Sequence, residues 1–446
     1  MRHTPLPPTL PIRNRDRLRA LLAPRSLVVV NANDTPTTNG DGTTAFYPNS
    51  DLFYLSGVEQ EETILLLAPN AHDEKLREVL FVRETSELIA QWEGHKLTKE
   101  EARALSGVAR VEWLNEFPGI FRRLMCEAEQ VYLNSNEHAR AVIEGDSRDT
   151  RFIRDTQRAY PLHRYERLAR LLHQLRVTKA EDEIELLRKA VVVTRDAYQR
   201  VLRFVRPGVH EHEVGAEFAH EFIRQGGRFA YQPIIASGKN ACVLHYVAND
   251  QPCLAGDLLL LDVAASYANY NADVTRTLPV SGRFTPRQRA VYDAVLRVLR
   301  QALAALAPGK LPKDWQKESE AFMEEELLEL GLLKPRDIRK QDPERPALKK
   351  YFMHGCGHPL GLDVHDVATT GAPMAEGWVM TVEPGIYLPD EGFAVRLEED
   401  VLITAAGNVN LTADIPIESR DIEQAMRGHA ARKRKPVRRS GRGTSR

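Results

Sequence analysis

Cysteine is scarce in this chain. Four residues in 446, at irregular spacing, exclude a disulfide framework and a paired-cysteine zinc module, and suit a reducing cytoplasm. Long hydrophobic runs are missing as well: runs such as residues 64–68 and 258–261 fall far short of a membrane span. The opening stretch M-R-H-T-P-L-P-P-T-L-P has no apolar centre of the kind a secretory signal carries. No internal repeat is evident. The formal net charge of −1 is near zero, but it hides an asymmetry. Residues 427–446 carry nine Lys and Arg and no acid, leaving 52 basic against 62 acidic residues elsewhere, a net of −10. A solvated, disordered tail is expected there, with nucleic-acid contact a minor accessory at most.

What the chain does carry is a set of carboxylates in apolar, strand-like company. Asp262, Asp273, Glu383 and Glu398 each interrupt a short hydrophobic segment, and His358 lies between the two pairs. Desolvating an unpaired ion is costly, or shifts its pKa until it neutralises. Four carboxylates converging on one place would repel each other strongly, and two divalent cations would remove that objection. An oxygen-rich set with one imidazole suits Mn, Zn, Co or Fe at paired positions, which activate a bridging water for hydrolysis. These residue types therefore predict a dinuclear metallohydrolase.

Residues 257–262 read D-L-L-L-L-D, followed by V-A-A-S-Y-A-N-Y-N-A-D-V-T-R-T-L-P-V. That is an apolar strand, a polar break near residues 266–271 and a second strand rich in β-branched residues. A reversal near Tyr267 and Ala268 would set Asp262 opposite Asp273, with Cβ atoms about 4.5–5.5 Å apart. Either acid alone reads as a turn cap; both at mirror positions do not.

Residues 353–366, M-H-G-C-G-H-P-L-G-L-D-V-H-D, hold three imidazoles, His354, His358 and His365, in a glycine-rich stretch that predicts a loop or irregular strand. A lone histidine is more often a core or surface residue than a ligand, and three within twelve positions shift that balance. Cys356 reads as a bystander, because hard carboxylates elsewhere argue against a thiolate ligand. In W-V-M-T-V-E-P-G-I-Y, residues 378–387, Pro384 holds Glu383 extended. In F-A-V-R-L-E-E-D-V-L-I-T, residues 393–404, one strand puts Val395 and Leu397 on one face and Arg396, Glu398 and Asp400 on the other. Periodicity alone does not separate Glu398 from Glu399, although Arg396 beside Glu398 would help keep a buried carboxylate ionised.

In combination these motifs resemble the pita-bread metallopeptidases, a group holding methionine aminopeptidase, prolidase, aminopeptidase P and the metal-free creatinase. The resemblance covers residues 176–423 well and 12–175 more weakly. Within the group, G-L-D-V-H-D and Y-P-N-S-D-L-F-Y-L-S-G are most similar to aminopeptidase P, the Xaa-Pro aminopeptidase. The resemblance implies two divalent metals, manganese first, on Asp262, Asp273, His358, Glu383 and Glu398, with Asp273 and Glu398 bridging. It also implies Glu383 as proton shuttle, and His245, His354 and His365 around the substrate. It points, less directly, to Arg396, Asp51 and Trp92 as substrate contacts, the last two reaching a neighbouring subunit of a homo-oligomer. Left to themselves, Trp92 reads as domain core and Asp51 as a helix cap. The chain departs from the commoner pattern at Cys356-Gly357 and at Tyr47-Pro48-Asn49. The substrate implied is a peptide beginning Xaa-Pro. Prolidase is the sibling alternative, and a non-enzymatic pita-bread binding module is the alternative from another class, disfavoured because every ligand position is filled.

The expected fold class is α+β, a pita-bread catalytic domain preceded by a smaller α/β domain. Residues 1–15 form an arm, 16–175 the N-terminal domain, 176–426 the catalytic domain and 427–446 the tail. Strands are expected at 26–31, 63–68, 78–82 and 130–133. Helices are expected at 180–205, capped by Thr178, and at 210–225, 286–307 and 314–330. Residues 334–350 read as a charged connection.

Overall fold

The computed structural model describes residues 3–142, 145–369 and 371–427. The basic tail beyond Arg427 lies outside the described residues. The N-terminal half is built on β1 (Ser26–Asn31), β2 (Ile64–Leu67), β3 (Glu78–Val82), β4 (Arg110–Trp113), β5 (Gln130–Leu133) and β6 (Arg164–Arg167). They form one mixed sheet in the order β4-β3-β2-β1-β5-β6. All six residues of β1 are buried, because helices and loops cover both faces at the sheet's centre. Its alternate residues feed two separate cores, Val28 and Val30 one of them, Leu27 and Val29 the other.

The long helix Glu181–Phe204 opens the second half. Its N-cap is Ala180, whose N–H is satisfied by the Glu183 carboxylate at 2.9 Å, so the expected Thr178 cap is corrected. Three further helices, Glu211–Arg224, Pro286–Ala305 and Pro312–Glu329, form within two residues of the predicted bounds. Their apolar stripes pack on short antiparallel ribbons.

The ribbons hold the site. β7 (Arg228–Phe229), β8 (Ile234–Ser237), β9 (Leu258–Asp262), β10 (Ala265–Tyr267), β11 (Tyr270–Asn271) and β12 (Thr275–Pro279) come first. They pair as β11-β10-β7 and β12-β9-β8. β13 (Val379–Val382), β14 (Gly385–Leu388), β15 (Phe393–Arg396), β16 (Glu399–Thr404) and β17 (Gly407–Asn410) follow, paired as β13-β16-β17 and β14-β15.

Two expectations are corrected here. The hairpin reverses at Ala268 and Asn269, both at positive φ (49° and 65°), one residue later than predicted. This shifts the register, so Asp262 pairs with Thr275 and not with Asp273. Asp273 is instead its diagonal neighbour, on the same face but further away. The second correction concerns residues 393–404, which form two strands broken at Leu397 and Glu398. Their partners β13 and β14 are broken at Glu383 and Pro384, where proline removes a ladder donor. Helix Glu181–Phe204 fastens the first ribbon at the corresponding point: the buried Tyr198 hydroxyl lies 2.9 Å from the carbonyls of both Leu261 and Val274.

Candidate metal centre

The ligand-type residues fall at strand ends and breaks. Asp262 ends β9, Asp273 stands two residues before β12, Glu383 separates β13 from β14, and Glu398 separates β15 from β16. A strand break frees a residue from strict in-out alternation, so an acid can turn inward from an apolar run. The loop of residues 352–369 completes the set. It has neither helix nor regular strand, as predicted, and it lies along β13 through Thr381 N to His358 O (2.8 Å) and Leu360 N to Val379 O (2.9 Å). Gly357 permits this approach, since a Cβ there would collide with the Thr381 carbonyl.

Ligand atoms of Asp273, His358 and Glu398 all lie within 4.8 Å of one another. His358 Nε2 is 3.4 Å from Asp273 Oδ2 and 3.8 Å from Glu383 Oε1. His358 Nδ1 donates to the Pro359 carbonyl at 2.9 Å, so a proton is on Nδ1, and Nε2 is the nitrogen that would offer its lone pair to a cation among the carboxylates. Asp262 sits apart from this triad, with Tyr231 Oη donating to Oδ1 (2.6 Å) and Arg396 Nη2 to Oδ2 (2.6 Å). Arg396 is thus corrected as a partner of Glu398. The carboxylate of Glu398 accepts instead from Thr275 Oγ1 at 2.7 Å.

The electrostatics fit cations. Burial, and next the charge of Asp273, push Glu398 well above the ordinary carboxylate range. Burial also raises Asp262, against the Arg396 charge, and lifts Glu383 to about 7 against His358 and Arg396. Such a set is under-charged by its protein partners alone, and divalent cations would supply what is missing. The donor set, carboxylate oxygens with one imidazole nitrogen, fits hard or borderline metals.

The two adjacent glutamates are separated by geometry. Glu399 turns the other way, to Arg276 Nη2 at 2.8 Å, both side chains almost wholly buried. Glu399→Ala should therefore destabilise the fold by about 3–5 kcal/mol in urea unfolding, the penalty for stranding a buried charge, while leaving metal content unchanged. Loss of metal on the scale of a Glu398 variant would contradict this division of roles.

Around the centre, His354 donates from Nδ1 to Gly355 O (2.7 Å), and its Nε2 accepts from Tyr387 Oη (2.8 Å), which in turn accepts from Arg396 Nη1 (2.8 Å). Burial, reinforced by Arg396, lowers His354 to about 3, so it is neutral. The His365 ring lies 4.2 Å from that of His358, edge to face. Arg140 Nη1 lies 3.0 Å from His365 Nδ1 and 3.5 Å from Nε2; the shorter contact makes Nδ1 the acceptor and places the ring proton on Nε2. Burial, then the charges of His358 and Arg140, lower His365 to about 4. His245 lies on an exposed segment whose base is tied down by buried Glu211, which accepts from Ser237 N, Asn240 Nδ2, Tyr246 Oη and Gln251 N. Cys356 is buried, its thiol pushed up to about 12, and stays a bystander.

Two plain readings of N-terminal residues are corrected. Trp92 is no core residue: it is 81% exposed, on the helix Glu87–Glu93, which has no buried residue. Asp51 is no cap: Asn49 caps the helix Ser50–Ser56, and Asp51 bonds Arg176 and Asn134. Tyr231, Tyr387, Thr275 and Arg140 were not singled out from sequence. Tyr387 and Thr275 stand inside the motifs that carry Glu383 and Asp273, which is the signal that could have found them.

Fold and site define a metallohydrolase with a pita-bread catalytic domain. Residues 185–405 match metallopeptidase family M24, and residues 12–132 match the aminopeptidase P N-terminal domain. The chain is 34% identical over 431 residues to Xaa-Pro aminopeptidase of Escherichia coli (strain K12), covering 93% of this chain and 96% of that one. It is 33% identical over 427 residues to the Haemophilus influenzae Xaa-Pro aminopeptidase, covering 92% and 96%. A solved structure of E. coli aminopeptidase P in complex with substrate superposes with a TM-score of 0.85 at 31% identity, over 96% of this chain and 100% of that one. The chain belongs to metallopeptidase family M24, in its aminopeptidase branch. Among the described residues no helix is long and apolar enough to cross a membrane.

Proposed function

We propose that this protein is a dinuclear-metal aminopeptidase that releases the first residue from peptides with proline at the second position. The observation that carries the reading is the convergence of Asp273, His358 and Glu398 within 4.8 Å, with Asp262 and Glu383 at adjoining strand breaks. These five residues would hold two divalent cations, manganese in first place, which would supply Lewis-acid chemistry: a water made acidic near neutral pH and a polarised scissile carbonyl. Glu383 takes a proton and passes it to the leaving nitrogen. His365, its proton on Nε2, donates to the developing oxyanion, and His245 and His354 complete the wall around the substrate. Asp262 receives the free α-amine, its own charge held by Arg396, whose substrate role is therefore indirect.

A bond preceding proline is a tertiary amide with no N–H, so the site grips the ring and the residue before it. An exposed tryptophan on a helix with no buried face suits a subunit contact, and we assign Trp92 to the substrate site of a neighbouring copy in a homo-oligomer. Four free cysteines accord with the cytoplasm.

A cleft of about 1030 Å³ runs from His365 and Asp363 along Arg140 and His138 of the N-terminal half. Of the proposed site residues His365 and Asp51 line it, and none of the metal ligands does, so it suits the far end of a peptide whose first residue lies at the centre. Xaa-Pro-Xaa tripeptides and longer chains are therefore expected to be cleaved at least as well as Xaa-Pro dipeptides, in steady-state assays with metal content measured on the same sample. Hydrolysis confined to dipeptides would reassign the protein to prolidase, because a dipeptidase must recognise the proline carboxylate and exclude anything beyond it.

A further inference from the structure

The histidine loop is held in two different ways. Its first half follows β13 through backbone hydrogen bonds, Glu383 N to Cys356 O (2.7 Å), Thr381 N to His358 O (2.8 Å) and Leu360 N to Val379 O (2.9 Å). That pairing fixes His358. The second half, residues 361–366, leaves the sheet. Asn271 Nδ2 holds the carbonyls of Gly361 and Leu362, at 3.0 and 2.9 Å. Asp366 N returns to Pro359 O at 2.9 Å and Gly361 N bonds Asp363 O at 3.1 Å, and the side-chain anchors beyond Leu362 are mainly ionic. Arg176, only 4% exposed, donates to Asp363 Oδ2 and to Asp366 Oδ1, each at 2.6 Å. Lys179 Nζ donates to the other Asp366 oxygen at 2.9 Å. The same guanidinium reaches Asp51 Oδ1 of the N-terminal half at 2.8 Å, and Ser50 Oγ beside it donates to Asp363 Oδ1 at 2.7 Å. Gly361 lets the loop close over this cluster, since a Cβ there would collide with the Asp366 carboxylate and the Lys179 stem.

We propose that Arg176 is a positioning residue for His365, clamping the outer half of the histidine loop between Asp51 of the N-terminal half and Asp363 and Asp366 on either side of the imidazole. This rests on the reading of His365 as a substrate contact. Asp363 is part-exposed, but Arg176, Lys179 and Asp366 are almost wholly buried, and ions in such a place are an expensive arrangement where apolar packing of similar volume would hold a loop as stably. What a planar fork with five donors adds is direction. His365 sits between the two clamped aspartates, next to one and two residues from the other, so a change in the clamp is felt at the ring. Displacement by about 1 Å at a reacting group lowers rate by about 10²-fold. The N-terminal half thereby acts on the chemistry within its own chain, through Asp51 and Arg176, whatever it lends a neighbouring copy.

The test is a double-mutant cycle on the full chain with manganese present. Arg176→Lys keeps the charge but loses the fork. It should lower kcat on an Xaa-Pro-Xaa tripeptide by about 10–10²-fold, with KM and bound metal unchanged. In a His365→Ala background the same change should lower kcat no further. Asp51→Asn should repeat the pattern more weakly, and it decides the matter if Arg176→Lys does not fold. Equal losses in both backgrounds, or loss of metal with Arg176→Lys, would overturn the clamp while leaving the proposed function intact. If His365→Ala alone is silent, the substrate-contact reading falls, and the proposal with it.

Discussion

Glu398→Gln is expected to lower peptide hydrolysis by about 10³-fold or more, and to lower metal content in the same preparation. Gln keeps the shape and the acceptor for Thr275 Oγ1 but removes a charge from the most crowded point of the site. Burial and Asp273 already push this carboxylate well above its ordinary range, so its ionised form depends on cations being present. The dependence is mutual: losing the charge loosens the ion. Lewis-acid stabilisation of the developing charge amounts to several kcal/mol, and each 1.36 kcal/mol is tenfold in rate. Exhaustive chelation of the unaltered protein should have the same effect, reversed by adding back manganese. Full hydrolytic activity in a rigorously metal-stripped sample would sink the metallohydrolase mechanism. Glu399→Gln, on the opposite face of the chain and paired with Arg276, is the matched control and should keep its metals.

That control was not available from periodicity. Alternation along residues 393–404 assumes one strand, and the break at Leu397 and Glu398 resets the alternation inside the motif. The site was legible because carboxylates in apolar segments violate the burial rule, and such violations mark function. Strands β1, β3 and β5 fall on their predicted bounds for the complementary reason: short apolar runs between polar or charged residues. The charged, part-exposed β4 and β6 offered no such contrast. The hairpin reversal was missed by one residue, and the register by two, because its turn uses Ala268 at φ 49°, a conformation that alanine disfavours. Asn269 compensates from a distance, accepting from Arg228 and bonding Glu59 of the N-terminal half. Tertiary contacts chose that turn, and no local propensity would have. The Arg176 clamp was illegible for the same reason. Its five main participants, Asp51, Arg176, Lys179, Asp363 and Asp366, are spread over more than 300 residues of chain, and only folding brings them together.

The loop's two neighbouring histidines should separate cleanly when each is replaced. His358→Ala is expected to lose metal and nearly all activity, since Nε2 is the one lone pair the ring has left after Nδ1 donates to Pro359 O. His365→Ala should keep its metals and lower kcat/KM by about 10²–10³-fold, the usual loss on removing an oxyanion donor. The rings are only 4.2 Å apart, so proximity does not distinguish them. The tautomers do. His358 presents a lone pair toward Asp273 and Glu383, whereas Arg140 occupies Nδ1 of His365 and leaves an N–H on the other nitrogen. A ring that offers N–H is a donor to substrate and a poor ligand. If His365→Ala loses metal as badly as His358→Ala, the proton has been assigned to the wrong nitrogen, and His365 belongs to the metal shell rather than to the substrate.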